Sequence, residues 1–364
     1  MSKRAPVSTT RAISEDLKKY PMNAVNLPLT GLKVVEFEGI GPGPVAGRIL
    51  ASFGADVTVV ARPIAGAVQR MGGDAENPLR ANKKVVVLDL KKPEAVAAAL
   101  DLVATADALI EGNRPGVMER LGLGPDACKV RNPKLVYGRM TGWGQTGPLA
   151  PVAGHDLNYV ALSGLLSLVA RPGQPPIVPP TVVGDSAGAL GLAFGIVSGV
   201  FAARTTGRGC VVDAAILDMV AMLGTLVHWL HGNNQIGGTQ PSAFHDSPQY
   251  DTYECSDGKF VTIGALEPQF YSLLLDKLEM KDVDPAEQLS RDKWPALKAR
   301  FAAKFRTRTR DAWSELLEGT DVCFAPVLSI EEAAAHPHNV SRNLFPRNAS
   351  GMVETQAAPR FSTL

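Results

Sequence analysis

Six short, valine-rich runs, LKVVEF, ADVTVVA, KKVVVLDL, ADALIEG, KLVYGRM and CVVDAA, recur along the chain up to Ala215. Stretches with helical spacing of apolar residues, such as PEAVAAALDLVATA, stand between several of them. Apolar runs of this length suit strands buried on both faces, and parallel strands need a crossover connection between them. The pattern predicts an α/β architecture with a large, Rossmann-like, doubly wound domain over residues 31–215. After that the pattern changes. AAILDMVAMLGTLVHWLH reads as one long apolar helix, and GNNQIGGTQPSAFHDSPQ as loop, so 216–248 is a helix and linker. YDTYECSDGKFVTIGAL then reads as two strands around a tight turn at Ser256-Asp257-Gly258-Lys259. With helices at EPQFYSLLLDKLEM, WPALKARFAAKF and TRDAWSELLEG, residues 249–344 form a smaller mixed α/β domain, and 345–364 return to the first.

A chain of 364 residues is long enough for two such cores. Lys and Arg together number 37 against 36 Asp and Glu, a formal charge of +1. No global field of that size holds nucleic acid or an anionic membrane, so any anion must be bound locally. Cys128, Cys210, Cys255 and Cys323 lie far apart without a CxxC pair, as in a reducing compartment, and cytoplasm is the expected location. Phe361-Ser362-Thr363-Leu364 is not a peroxisomal address. Residues 1–30 lack the apolar core of a secretory signal and read as an arm. The most apolar run, Ala187–Ala203, falls short of the ~20 residues of a spanning helix. Its glycines at 188, 191, 195 and 199 make a small-residue stripe, which lets a buried helix approach other backbone closely. The expected protein is soluble.

Gly41-Pro42-Gly43-Pro44-Val45-Ala46 fits G-x-G-x-x-A between a strand and a helix, the arrangement that offers a helix N-terminus to a diphosphate. A nicotinamide site also wants an acidic residue at the end of the second strand, for the ribose hydroxyls. The residue there is Arg62, which suits a ribose phosphate. Phosphorylated nicotinamide dinucleotide and coenzyme A both carry that group. Pro42 and Pro44 each remove a backbone N–H that a diphosphate cradle would use, which disfavours the reductase reading.

RMTGWGQTGP (139–148), GHDLNY (154–159), VVGDSAG (182–188), GRGCVVDAAILD (207–218) and GALEPQF (264–270) follow one another in order. From about Gly31 to Ser362 the chain resembles the family III CoA-transferase superfamily, and within it the α-methylacyl-CoA racemases. The resemblance implies catalytic roles for His155, Asp185 and Glu267. It implies coenzyme A contacts at Arg62, at Leu88, Asp89 and Leu90, at Gly112, Asn113 and Arg114, at Arg120, and along Gly154, Asp156, Leu157, Asn158 and Tyr159. It further implies an interlocked homodimer with the site shared between subunits, and no cofactor beyond the coenzyme A moiety of an acyl-CoA substrate.

Inversion beside a thioester removes the α-proton from one face and delivers another to the opposite face through an enolate, which calls for two acid/base groups and a charge stabiliser. His155 is a suitable base, with an ordinary pKa near neutrality. Asp185 serves the other face. Standing ahead of the Ala187–Ala203 run, it is also expected to cap that helix with its own carboxylate, leaving the first N–H groups of the helix as candidates for holding the enolate oxygen. Glu267, 112 positions beyond His155, is expected to orient the imidazole. His228 with His231, and His336 with His338, lack the companions of a metal site, and none is expected. Met140, Met219 and Met222 suit an adaptable acyl surface or core filling alike. Two alternatives remain: a CoA-transferase with Asp185 as nucleophile, and a non-catalytic acyl-CoA binder.

Overall fold

The computed structural model describes residues 27–64, 77–169, 171, 173–237, 240–348 and 350–362. Most of the expected arm, and Gly238, lie outside these residues. The chain divides into two compact units: the first takes residues up to Leu166, Val178–Leu223 and His336 onward, the second Ser167–Ile177 and Gly224–Ala335.

In the first unit all six valine-rich runs are strands: β1 (Lys33–Phe37), β2 (Asp56–Ala61), β3 (Lys84–Val87), β4 (Ala108–Glu111), β5 (Val136–Thr141) and β6 (Cys210–Ala215). They form one parallel sheet in the order β3-β2-β1-β4-β5-β6. This is the doubly wound order, in which the chain reverses direction across the sheet between β1 and β4. The fully buried β4 and nearly buried β1 lie at its centre, while the edge strands β3 and β6 are more exposed. Helices α1 (Pro42–Ser52), α2 (Pro93–Ala104), α3 (Val117–Arg120), α4 (Pro125–Arg131), α5 (Asp156–Leu162), α6 (Gly184–Thr206) and α7 (Ile216–Leu223) belong to the same unit.

Helix α6 spans 23 residues and is, by length and composition, apolar enough to cross a membrane. Its glycine stripe faces protein. A Cβ at Gly188, Gly191, Gly195 or Gly199 would collide with Ile216, Met219, Val212 or Val136 respectively, so these glycines let α6 lie close against β5, β6 and α7. Lys83 and Glu36 form a buried ion pair in this unit. Lys83, with no exposed side-chain surface, donates to Glu36 Oε2 at 2.6 Å and to the Pro44 carbonyl at 2.9 Å, and Gly47 leaves room for the carboxylate. Burial pushes the Glu36 carboxyl up to about 7 against the pull of Lys83, and pushes the Lys83 ammonium down.

The expected single helix after β6 is interrupted. Ala214 and Ala215 finish the strand, α7 ends at Leu223, and α8 (Thr225–Gly232) starts afresh after Gly224, which is also where the second unit resumes. Glycine is a poor helix former, and here the periodic pattern on either side hides the break. The second unit carries the expected hairpin β7 (Tyr250–Glu254) and β8 (Phe260–Gly264), closed by a turn with Gly258 at φ 73°. A third strand, β9 (Phe324–Pro326), pairs antiparallel with β8. Helices α9 (Pro268–Lys277), α10 (Trp294–Phe305) and α11 (Arg310–Leu317) pack on it around Tyr253, Tyr271, Phe301, Phe305 and Trp313.

Candidate active site

Parallel α/β sheets present their ligands at the carboxyl ends of the strands, beside the point where strand order reverses. The expected coenzyme A contacts follow this edge. Arg62 comes directly after β2, Leu88–Leu90 after β3 and Gly112–Arg114 after β4. Arg62, Gly112, Arg114 and Arg120 are exposed, and Leu88, Asp89, Leu90 and Asn113 are half-buried. Glu38, just past β1, holds the edge together. Its Oε2 accepts the Arg62 N–H at 2.9 Å, its Oε1 pairs with Arg80 at 2.5 Å, and its carbonyl accepts from the Arg62 guanidinium at 3.4 Å. A carboxylate does stand beside the end of the second strand, but it comes from the residue after the first and both its oxygens are taken by Arg62 and Arg80.

His155 opens α5 in extended backbone (φ −134°, ψ 173°). Its N–H donates to Asn158 Oδ1 at 3.0 Å and its carbonyl accepts the Asn158 N–H at 2.8 Å, a reciprocal lock that leaves the imidazole exposed. Asn158, expected at coenzyme A, thus also fixes the histidine. Of its neighbours, Leu157 is exposed and Gly154 half-buried, whereas Asp156 and Tyr159 point their side chains into the protein. Tyr159 packs edge-on against Trp143 with centroids 4.7 Å apart, and Gly142 and Gly154 leave the space for its ring. That packing accounts for the first glycine of the GWG motif and for the glycine of GHD.

Asp185 is half-buried in the first turn of α6, but it does not cap the helix as expected. Its own N–H donates to Asp156 Oδ2 at 2.8 Å, so the capping carboxylate comes from a residue 29 positions earlier. Gly184 is needed there, since a Cβ would approach Asp156 Oδ2 to 3.0 Å. The Asp185 N–H, now occupied, is removed from the donors proposed for an enolate. Asp156 Oδ1 is buried and has no hydrogen-bond partner among the described residues. Burial raises the Asp185 carboxyl above the usual aspartate range, the Asp156 carboxylate raises it further, and His155 works in the opposite direction. His155 and Asp185 are tied through Asp156, which follows the one in the chain and accepts the backbone N–H of the other. Gly41 joins them from the G-x-G turn. With φ 68° and a would-be Cβ 3.3 Å from Asp185 Oδ2, it brings backbone against the Asp185 carboxylate. The turn thus abuts Asp185, a placement that its resemblance to a dinucleotide fingerprint did not foretell.

In the second unit Glu267 is exposed at the residue before α9, with Pro268 in the first helical position and no capping bond from its side chain. Its carboxylate raises the nearby Cys323 thiol, though burial does so more. His231 Nδ1 lies 3.0 Å from the Ile236 carbonyl. Among the described residues no three His, Cys, Asp or Glu side chains gather to hold a metal ion.

Residues 29–363 match the family described as CoA-transferase family III. The chain belongs to this family. It is 39% identical over 344 residues to the alpha-methylacyl-CoA racemase of Mus musculus, covering 92% of this chain and 86% of that one. With the alpha-methylacyl-CoA racemase of Homo sapiens it shares 38% over 356 residues, covering 92% and 89%. The crystal structure of the Mycobacterium tuberculosis protein Rv3272 superposes with a TM-score of 0.78 at 28% identity, covering 92% of this chain and 93% of that one.

For this family III protein the Asp156 cap has a measurable consequence. Asp156→Asn keeps an oxygen for the Asp185 N–H but removes a negative charge, so the Asp185 carboxyl should titrate at lower pH in ¹³C NMR. Stability responds with a definite sign. A raised carboxyl holds its proton more tightly in the folded state, so stability falls as pH rises from the ordinary aspartate value through the folded one, and the variant should lose less over that window. An unchanged Asp185 titration would mean that the two carboxylates do not interact.

Proposed function

We propose that this family III protein is a racemase that inverts the α-carbon of 2-methyl-branched acyl-CoA thioesters by proton transfer through an enolate. The observation that carries the reading is the hydrogen bond from the Asp185 N–H to Asp156, which fixes Asp185 against the residue that follows the exposed His155. A carboxyl that keeps its proton more readily than usual can deliver one, and a neighbouring imidazole can remove one, which is the division of labour inversion requires. The names of the mouse and human relatives favour the same reaction. Arg62, Arg114 and Arg120 are the local cations for the phosphates of coenzyme A, in a chain whose overall charge attracts none.

We assign the protein a homodimeric state. Leu190, Phe194, Val197 and Phe201 recur at spacings of four, three and four along α6, and Phe194 and Phe201 are 71% and 77% exposed. A continuous apolar stripe of this kind marks an interface. Phe194→Asp together with Phe201→Asp should convert a dimer into a monomer in analytical ultracentrifugation, and a wild-type protein that sediments as a monomer would refute the assignment.

Transfer of coenzyme A between carboxylic acids is the second reading, favoured by the family's other chemistry, with Asp185 forming an acyl anhydride. Incubating a 2-methylacyl-CoA with the enzyme in deuterated water, with no acceptor acid, separates the two. A racemase incorporates deuterium at the α-carbon. A transferase leaves the substrate unchanged until an acid is added, and hydroxylamine then traps Asp185.

A further inference from the structure

Two of the segments assigned to coenzyme A, Gly112–Arg114 and Arg120, are joined beneath the surface by one guanidinium. Arg139 stands on β5 directly beside Glu111 of β4 in the parallel register. Its Nε donates to Glu111 Oε1 at 3.1 Å, while Nη1 and Nη2 donate to Glu119 Oε1 and Oε2 at 2.8 and 3.3 Å. Glu111 is fully buried and Arg139 is 7% exposed. The second oxygen of Glu111 accepts the Asn113 N–H at 2.7 Å, and the Asn113 amide reaches Met118 Sδ at 3.3 Å. Glu119 immediately precedes Arg120, whose Nη1 lies 3.2 Å from where a Cβ of Gly116 would stand. Two carboxylates on one buried guanidinium are a costly way to fill a core, since desolvation offsets most of the attraction. What the arrangement supplies is geometry: a planar fork fixes both partners in angle as well as distance.

We propose that Arg139 is a positioning residue for coenzyme A. Through Glu111 it sets the loop that carries Arg114, through Glu119 it sets the turn that carries Arg120, and it thereby holds two cations that join Arg62 at the ligand's ribose phosphate. The proposal rests on the coenzyme A reading above. It calls for a readout that general loosening would not move, and the preference for coenzyme A over dephospho-coenzyme A, which lacks only the ribose phosphate, is such a readout.

The experiment is calorimetric titration of both ligands into wild type, Glu119→Gln and Arg139→Lys, with thermal unfolding alongside. The Glu119 side chain is 44% exposed, so its substitution leaves the core intact even if Arg139→Lys does not fold. The expected result is that the wild-type preference for coenzyme A drops by about tenfold in Glu119→Gln, the worth of one charge-assisted hydrogen bond, while dephospho-coenzyme A binding barely changes. Variants that keep the full preference, or that weaken both ligands equally, overturn the proposal. A wild type that binds neither ligand overturns the coenzyme A reading and this proposal with it. A wild type that binds both without preference overturns the phosphate role of Arg139 alone.

Discussion

His155→Ala and Asp185→Asn should each lower the rate of α-carbon inversion by on the order of 10²- to 10⁴-fold, the usual contribution of one positioned acid or base. Coenzyme A affinity should change little. His155 is exposed and locked only through its backbone, so truncating the imidazole removes no packing. Asp185→Asn preserves shape, and the N–H given to Asp156 is backbone and survives the substitution. Loss of activity without loss of binding would therefore report chemistry rather than folding. On the proposed two-base route both groups act in every turnover, so the double variant should be scarcely slower than either single one, as for residues that act as a unit. Racemisation by chiral chromatography and binding by calorimetry check these expectations together.

Lys83→Met should destabilise the protein by about 3–5 kcal/mol, because it strands the Glu36 carboxyl in a fully enclosed site. The interior does not tolerate the lone charge, and the group must take up a proton or draw in water. Lys83 also donates to the Pro44 carbonyl, so the same substitution loosens the start of α1 and with it the Gly41 turn that lies against Asp185. Replacing both partners, Glu36→Met with Lys83→Met, should recover most of the lost stability, since an apolar pair of similar volume avoids the desolvation of two charges. Chemical denaturation of the single and double variants measures the difference. A single variant as stable as wild type would show that the ion pair is not what orders this region.

The large sheet could be read from the chain because its signal is local and repeated: each valine-rich run carries its own strand, and the helices between them carry their own period. The second unit was legible as far as its hairpin and three long helices. Strand β9 was not, being three residues with a terminal proline and no alternation to detect. The break at Gly224 was hidden for the opposite reason, since the apolar pattern runs on through it.

At the site, the resemblance to a family directed attention to His155 and Asp185, and the fold brings the two to the same edge. What the chain could not disclose were the pairings across distance: Asp156 capping α6 for Asp185, Glu38 reaching Arg62, Lys83 closing on Glu36, Arg139 binding Glu111 and Glu119. Each joins residues 20 or more positions apart. A polar residue inside an apolar strand, such as Glu36 in VVEFE or Arg139 in VYGRM, was the available hint, because a buried charge implies a partner elsewhere.

Half-reactions separate the proposed roles of one imidazole and one carboxyl on opposite faces of the same α-carbon. Each epimer of a 2-methylacyl-CoA is incubated separately in deuterated water with His155→Ala and with Asp185→Asn, and wash-out of the α-proton is followed by NMR. The expected pattern is complementary: each variant still exchanges one epimer, the two variants exchange different ones, and neither inverts. Variants that lose both epimers equally, or that exchange the same one, would contradict it.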